Sequence, residues 1–321
     1  VQSNIGEILS ATFRSREGKF GRVLDIRGHY AGLIDIGGGN TLALHTDGVG
    51  TKVLVADMLK EYRTVGIDCV AMNVNDLICV GAEPVAMVDY LALERMDRRL
   101  VNDVTIGLER GAREAGIAIV AGETAVMPDV IHGFDLSAMS IGVVKKSRII
   151  TGERVKVGDA VIGLQSSGIH SNGLTLARKI LFKKGFDRNT AEELLTPTRI
   201  YVREIMKLLK SRIQIHGLAH ITGGAFSKLK RIGERADVGF HLQSLFRPHE
   251  IFKEIQEQGD VSDREMYRTF NMGTGFLVIC PKNEANKALR TLRDARQVGE
   301  VIDERRVIVE VDSKKIGVEA W

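Results

Sequence analysis

Six consecutive residues, Asp47-Gly48-Val49-Gly50-Thr51-Lys52, bring together an acid, two glycines, a hydroxyl and a lysine. Glycine frees backbone N–H groups to cradle phosphate, lysine can neutralise phosphate charge, and aspartate can hold Mg2+. The order is not that of a Walker A loop, and a hairpin turn rich in Gly and Asp would read much the same.

A second group discriminates better. On a helical wheel at about 100° per residue, Ile67, Val70, Ala71, Val74, Leu77 and Ile78 share one face. Asp68, Asn75 and Asp76 gather on the other, and Met72 and Cys79 lie among them. A solvated face would carry long flexible charges, yet this one has no Lys or Glu. Short acids and an amide amid apolar neighbours indicate a partly enclosed acidic site, whose oxygen donors suit Mg2+.

Three loops add candidates. Gly122-Glu123-Thr124 and Met127-Pro128-Asp129 follow an apolar run at 117–121, so their acids stand at a strand's C-terminal end, where a ligand or plain solvent could face them. Ser166-Ser167-Gly168-Ile169-His170-Ser171-Asn172-Gly173 lies between a strand and a helix, a natural anion site in which His170 could carry a proton or bond phosphate. A lone His is usually structural, but these surroundings favour a functional one. His220-Ile221-Thr222-Gly223-Gly224 repeats the same strand–loop–helix logic. With no GxSxG elbow, a nucleophilic triad is not expected.

The elements that must position these residues alternate between strand and helix. Strands are expected at 42–46, 85–93, 117–121 and 136–144, and helices at 67–81 and 98–115, the latter with Asp97 as N-cap and Gly116 just past its end. The polar, two-glycine stretch 151–159 marks a domain boundary, giving domains 1–150 and 151–321. The second half predicts a strand at 160–164, a helix from Leu174, a helix starting at Thr196-Pro197, a helix from Pro248, a strand at 275–280, a helix at 284–296 and short closing strands. Both halves read as α+β.

Composition bounds the function. The chain has 321 residues, 44% hydrophobic and 27% charged, which excludes a disordered or collagen-like chain. No apolar run approaches the roughly 18 residues that cross a bilayer, and Val1 to Ser10 lack the pattern of a signal peptide. No initiator Met is present, which leaves room for residues upstream. The net charge of +4 is dispersed, and the densest basic cluster, Lys228-Leu229-Lys230-Arg231, reads as a solvated helix face rather than a nucleic-acid stripe. Neither nucleic acid nor membrane is expected as a partner. Three cysteines without a CxxC pair fit buried thiols in a reducing cytoplasm.

Taken together, HTDGVGTK at 45–52, GIDCVAMNVNDLICVGAEP at 66–84, GETAVMPD at 122–129, SSGIHSNG at 166–173, LLTPTRIYV at 194–202, HGLAHITGG at 216–224 and EMYRTFNMGTGF at 265–276 resemble the phosphoribosylformylglycinamidine cyclo-ligases, the AIR synthetases of purine biosynthesis, and most of all their archaeal branch. Seven segments in family order make the match specific. The resemblance implies a two-domain α+β fold of the PurM type: an N-terminal domain that dimerises through its sheet, and a C-terminal α+β domain. It implies ATP-dependent ring closure of formylglycinamidine ribonucleotide, a homodimer, and a site between domains. Carried over, Asp47, Asp76 and Asp68 become Mg2+–ATP ligands and Lys52 a phosphate contact. Gly48, Gly50 and Thr51 approach the phosphates, and Asn75 and Glu123 support the site. His170, Ser167, Asn172, Thr222, Gly223 and Gly224 become substrate-binding or catalytic candidates. Ala121 departs from the family's Gly, and Gly28-His29-Tyr30-Ala31-Gly32 with Gly37-Gly38-Gly39 match its N-terminal glycine-rich loop loosely. Two related activities on this fold compete, selenophosphate synthetase and thiamine-monophosphate kinase. The first would want a reactive Cys early in the chain, and none precedes Cys69. A non-catalytic nucleotide-binding module is the third reading, and it would not need so many grouped acids.

Overall fold

The structure, a computed structural model, describes residues 2–320. The first half contains α1 (Gln2–Ser10), β1 (Arg22–Leu24), β2 (Gly32–Gly37), β3 (Asn40–Gly48), α2 (Lys52–Leu59), α3 (Arg63–Cys79), β4 (Glu83–Leu93), α4 (Arg98–Ala115), β5 (Ala118–Val126) and β6 (Phe134–Lys145). Its strands form one sheet in the order β1-β2-β3-β6-β4-β5, antiparallel except for the β4–β5 pair.

The second half contains β7 (Ala160–Gln165), α5 (Leu174–Leu181), α6 (Arg188–Leu194), α7 (Val202–Leu209), β8 (Gly217–His220), α8 (Lys230–Ala236), β9 (Gly239–Leu242), α9 (Glu250–Gly259), α10 (Asp263–Thr269), β10 (Thr274–Cys280), α11 (Ala285–Thr291), β11 (Ala295–Ile302), β12 (Arg306–Val311) and β13 (Lys314–Ala320). These strands make a second sheet, ordered β13-β12-β9-β11-β7-β10-β8. The α+β architecture is therefore two sheets with helices packed against them.

Helix α3 is the hub. It packs on α4 and on the sheet, and nearly all of its residues from Val65 onward are buried. The approach of α3 to α4 is close because Gly66 and Gly107 meet at the crossing. A Cβ on either would run into the other helix's backbone. Asp97 caps α4 by accepting from the N–H groups of Arg99 (2.9 Å) and Leu100 (3.1 Å), and Gly116 ends it in the left-handed region, as the spacing predicts.

Four expectations need correction. Helix α3 begins at Arg63, four residues before the predicted start, because its first turn packs on α4 rather than following the wheel. Strand β5 runs to Val126, so Gly122, Glu123 and Thr124 lie within a strand held to β4, not in a loop beyond it. Thr196-Pro197 starts no helix; the segment is extended and α7 begins at Val202. Its backbone is held by Lys52 of α2, which donates to the Thr196 carbonyl, and by Asp68 and Asn75 of α3, which bond along 198–201. Finally, α11 ends at Thr291, and the remainder of the predicted helix to 296 turns into β11, which pairs with β7.

The first sheet buries one face on α3 and leaves the other partly open. Along β6, Leu136, Ala138, Ser140, Gly142 and Val144 are buried, while Met139, Ile141 and Val143 between them are only half-buried. The apolar runs at 85–93 and 137–144 are thus covered on one side only within the single chain.

Candidate active site

The polar face of α3 does not look out to solvent. It forms the seam between the two halves. The Asn75 side chain donates to the Arg199 carbonyl (2.9 Å) and accepts from the Tyr201 N–H (2.9 Å). Asp68 accepts from the N–H of Thr198 (2.7 Å) and from its hydroxyl (2.5 Å). Asp76, two turns further on, accepts from His220 Nδ1 at 2.8 Å.

Of the three acids expected to meet at a metal, Asp68 is therefore elsewhere. Its carboxylate lies 2.9 Å from Lys52 Nζ with both side chains fully buried, and Lys52 also donates to the Thr196 carbonyl at 2.7 Å. Lys52 reaches no open space where phosphate could sit, so its expected role as a phosphate contact is not met. It is a structural cation that locks α2 to α3 and to the extended 196–198 segment. Burial pulls its ammonium below the usual lysine range, against the pull of Asp68.

His170 is also a core residue, contrary to expectation. It is fully buried, adopts a left-handed backbone (φ +62°), and accepts at Nε2 from the Ser167 N–H (3.2 Å). Its ring packs near Tyr201 and His220, and burial pushes its proton affinity far below the ordinary imidazole value. The Ser167 hydroxyl is turned inward to the Pro197 carbonyl (2.6 Å).

What the fold does bring together is a cleft of about 700 Å3 between the end of β3, the first-half loop at 25–31, and the loop after β8. Asp47, Asp76, Asn172, Thr222 and Gly223 line it. Asp47 is seated by Asn73, which accepts from its N–H (3.2 Å) and donates to its carbonyl (3.1 Å). A Cβ on Gly223 would stand 2.7 Å from Asn172 Oδ1, so any side chain there would displace the Asn172 amide. Gly48, Gly50 and Gly224 flank these positions without lining the cleft, and Thr51 faces the second half through Thr175, 3.0 Å away. Glu123 is exposed on the edge strand β5, opposite Tyr90 and outside the cleft.

The proton affinities of the two cleft carboxylates are shifted in opposite directions. Burial raises the proton affinity of Asp47, the Gly48 N–H opposes it, and the charge of Asp76 raises it further. Burial would raise Asp76 too, but the Lys228 ammonium and the hydrogen bond from His220 outweigh it and hold Asp76 well below the usual carboxylate range. His220 is pushed down by burial despite Asp76. Its proton sits on Nδ1, and Nε2 faces the Asn75 amide at 3.4 Å.

Several cleft residues had no assigned role in the sequence reading. His45 donates from Nδ1 to the Tyr30 carbonyl (2.7 Å) and sets Nε2 3.6 Å from Asp76. Its signal was the two-residue spacing from Asp47, which puts both on one face of a strand. The run Lys228-Leu229-Lys230-Arg231 has the sequence of a solvated helix face, yet Lys228 and Arg231 both line the cleft. Their position a few residues beyond Gly223-Gly224 was the available clue. Arg27, His29 and Tyr30 enter from the loosely matching N-terminal glycine segment.

The family model described as AIR synthase related protein, N-terminal domain, matches residues 28–144, and the corresponding C-terminal domain matches 156–312. The chain is 52% identical over 313 residues to the phosphoribosylformylglycinamidine cyclo-ligase of Pyrococcus furiosus, covering 95% of this chain and 91% of that one. It is 49% identical over 302 residues to the enzyme of the same name from Methanocaldococcus jannaschii, covering 90% and 84%. Among solved structures, a chain of the HypE–HypF complex superposes with a TM-score of 0.70 at 22% identity, covering 98% of this chain and 100% of that one. AaThiL complexed with AMPPCP and TMP gives 0.70 at 20% identity, covering 99% and 97%. At such identities the structural likeness establishes the fold alone.

Proposed function

This chain belongs to the AIR synthase-related family and, within it, to the phosphoribosylformylglycinamidine cyclo-ligases, and from that premise we propose that it closes the imidazole ring of formylglycinamidine ribonucleotide at the cleft between its two halves. ATP phosphorylates the amide oxygen, the ring nitrogen attacks the same carbon, and phosphate departs, leaving aminoimidazole ribonucleotide and ADP. Amide oxygen is a poor leaving group at neutral pH, and its phosphorylation supplies a good one. The protein's part is positioning and charge neutralisation. Identity near 50% to the cyclo-ligases, against 20% to AaThiL, favours this reaction over a thiamine-monophosphate kinase.

The observation that carries the reading is the convergence of Asp47 and Asp76 from the first half with Asn172, Thr222 and Gly223 from the second in one cleft. The donors fit Mg2+: two carboxylates share the cleft, and the charge of one raises the proton affinity of the other, a strain that a cation relieves. Among the described residues no three of His, Cys, Asp and Glu form a complete cation site. That suits an ion held by two carboxylates together with nucleotide phosphates and water. Bound there, Mg2+ supplies neutralisation of phosphate charge. Asp47 and Asp76 hold and orient it, His220 fixes the Asp76 carboxylate, and Asn172 and Thr222 contact the acceptor nucleotide.

We further propose a homodimer through the open face of the first sheet, supported by half-buried Leu42, Met139, Ile141 and Val143 with exposed Tyr90 beside them. Leu44 and Thr46 border both this face and the cleft, which would set the site near the dimer contact. A cytoplasmic setting accords with three buried free cysteines. No helix among the described residues is long and apolar enough to cross a membrane.

The test is isotopic. With heavy oxygen in the substrate amide, the label should leave in inorganic phosphate. Label found in water instead would mean that ATP does not activate the amide, and the cleft would not be a phosphoryl-transfer centre.

A further inference from the structure

Arg231 lines the cleft, and among the described residues it makes no side-chain hydrogen bond and has no carboxylate within ion-pairing distance. Its guanidinium carbon sits 5.4 Å from the centre of the Tyr30 ring, and Lys228 Nζ sits 5.6 Å from the same ring. Lys228 donates to the Thr222 hydroxyl and likewise has no carboxylate partner in ion-pairing range among the described residues. The other cations nearby are occupied. Arg27 pairs with Asp25 at 2.9 Å, and Arg235 bonds the Arg27 carbonyl and lies 3.5 Å from Glu153. Lys228 has the Asp76 charge in range but no ion pair with it, Arg231 has no anion partner, and two cations gathered on one buried aromatic ring repel each other unless a ligand supplies negative charge.

The same wall presents unpartnered neutral groups. The Tyr30 hydroxyl and Asn172 Nδ2 are buried without a hydrogen-bond partner, and burial keeps the phenol protonated by raising it far above its ordinary value. The cleft thus holds charges of both signs. Asp47 and Asp76 are its carboxylates. Lys228 lies close enough to Asp76 to lower its proton affinity, and Arg231 shares the Tyr30 ring with Lys228. A phosphate monoester carries up to two negative charges and would be repelled from the carboxylates unless a metal came with it. The guanidinium fork and ammonium over Tyr30 suit it without one.

We propose that Arg231, with Lys228 beside it over the Tyr30 ring, is the subsite for the phosphate monoester of the acceptor nucleotide, in the same cleft as the carboxylates that take the metal-bound triphosphate. The inference rests on the proposed ring-closing function for the identity of the acceptor. Its chemistry, a sugar phosphate held by two cations and neutral donors, stands on the geometry. It makes Arg231 a specificity-determining residue: it separates a nucleotide from the corresponding nucleoside.

The experiment measures equilibrium binding to the full chain by calorimetry, with formylglycinamidine ribonucleotide, its dephosphorylated riboside, ribose 5-phosphate and a non-hydrolysable ATP analogue as probes. The wild-type protein should prefer the ribonucleotide to the riboside. Arg231→Gln should weaken ribonucleotide and ribose 5-phosphate binding by roughly 10- to 100-fold, the scale of lost charge-assisted hydrogen bonds, and leave riboside and ATP-analogue binding within about twofold. Lys228→Gln should shift the same two probes by a smaller factor, and Arg231→Lys should restore part of the loss. Circular dichroism verifies that each variant is folded. If Arg231→Gln weakens the ATP analogue and spares the ribonucleotide, the cations serve ATP, and the proposal is overturned. Unchanged discrimination between ribonucleotide and riboside also overturns it. Arg231-dependent binding of ribose 5-phosphate by a protein that fails to close the ring would uphold the subsite while removing the ring-closing function.

Discussion

His220 donates its Nδ1–H to Asp76 at 2.8 Å across the seam between the two halves, with both side chains buried. The contact does two things. It fixes which oxygen of Asp76 remains directed to the cleft, and it ties the second sheet to α3 at the point where the candidate site lies. A carboxylate carried by α3 in one half and hydrogen-bonded from the other is sensitive to any shift between them, so site geometry and interdomain packing are coupled here.

Replacing Asp76 by Asn keeps the shape and most of the hydrogen-bonding capacity but removes the charge. Turnover should fall by at least roughly 100-fold, the scale on which loss of a preorganised electrostatic group acts, and the Mg2+ concentration needed for half-maximal rate should rise. Steady-state rates across a Mg2+ titration decide it. An unchanged rate and an unchanged Mg2+ requirement would remove Asp76 from the metal site.

Lys52→Met should act on stability. It leaves the buried Asp68 carboxylate without its cation, and breaking a buried pair costs about 3–5 kcal/mol. Denaturant melts should show a midpoint well below the wild-type value, while the Michaelis constant for ATP stays near normal at temperatures where the variant is folded. A stable variant that binds ATP poorly would return Lys52 to the phosphate site.

His170→Asn keeps a residue that tolerates a left-handed backbone and removes the imidazole that accepts from Ser167. Loss of a buried hydrogen-bond acceptor costs about 1–3 kcal/mol, so the melting temperature should drop, with turnover per folded molecule within a few-fold of wild type. A hundredfold loss of turnover at normal stability would make His170 a functional group after all.

Acid should destabilise the protein through its buried histidines. Burial, aided by Arg235 and Arg231, lowers His29 to about 4, and burial holds His170 well below the ordinary value. The unfolded chain takes up protons near the ordinary histidine value of about 6.5, and the folded chain refuses them until lower pH. Stability is therefore full above that value and is lost progressively as pH falls toward 4. Melting temperatures from pH 7.5 to 4.5 should decline in the wild type and decline less steeply in His29→Gln. Parallel slopes would mean that His29 is not held neutral in the fold.

The open face of the first sheet predicts association. Light scattering at micromolar concentration should give twice the chain mass, and Ile141→Lys, which places a charge among Leu42, Met139 and Val143, should give a monomer that remains folded. A wild-type monomer would contradict the proposed dimer.

Local patterns were enough to place most helices and strands and the acids at positions 47 and 76. The capped ends of α4 follow from Asp97 and Gly116, and the split wheel of α3 follows from 3.6-residue periodicity, because both depend on groups within a few turns of one another. Short acids without Lys or Glu on a helix face accord with the burial of Asp68, Asn75 and Asp76. Periodicity cannot say which enclosed acid meets water and which meets a cation. Asp68 and Asp76 lie on the same side of α3. The extended 196–198 segment and Lys52 cover the first, while His220 and the cleft receive the second. The same limit explains His170, whose Ser- and Gly-rich surroundings resemble an anion loop yet fold inward onto Tyr201, and Lys228 and Arg231, whose surface-like run folds inward onto Tyr30. The chain's residue types determined the inventory of acids, bases and donors. Only the packing of the second half onto α3, through contacts more than a hundred residues apart, decided which of them share a cavity and which neutralise one another in the core.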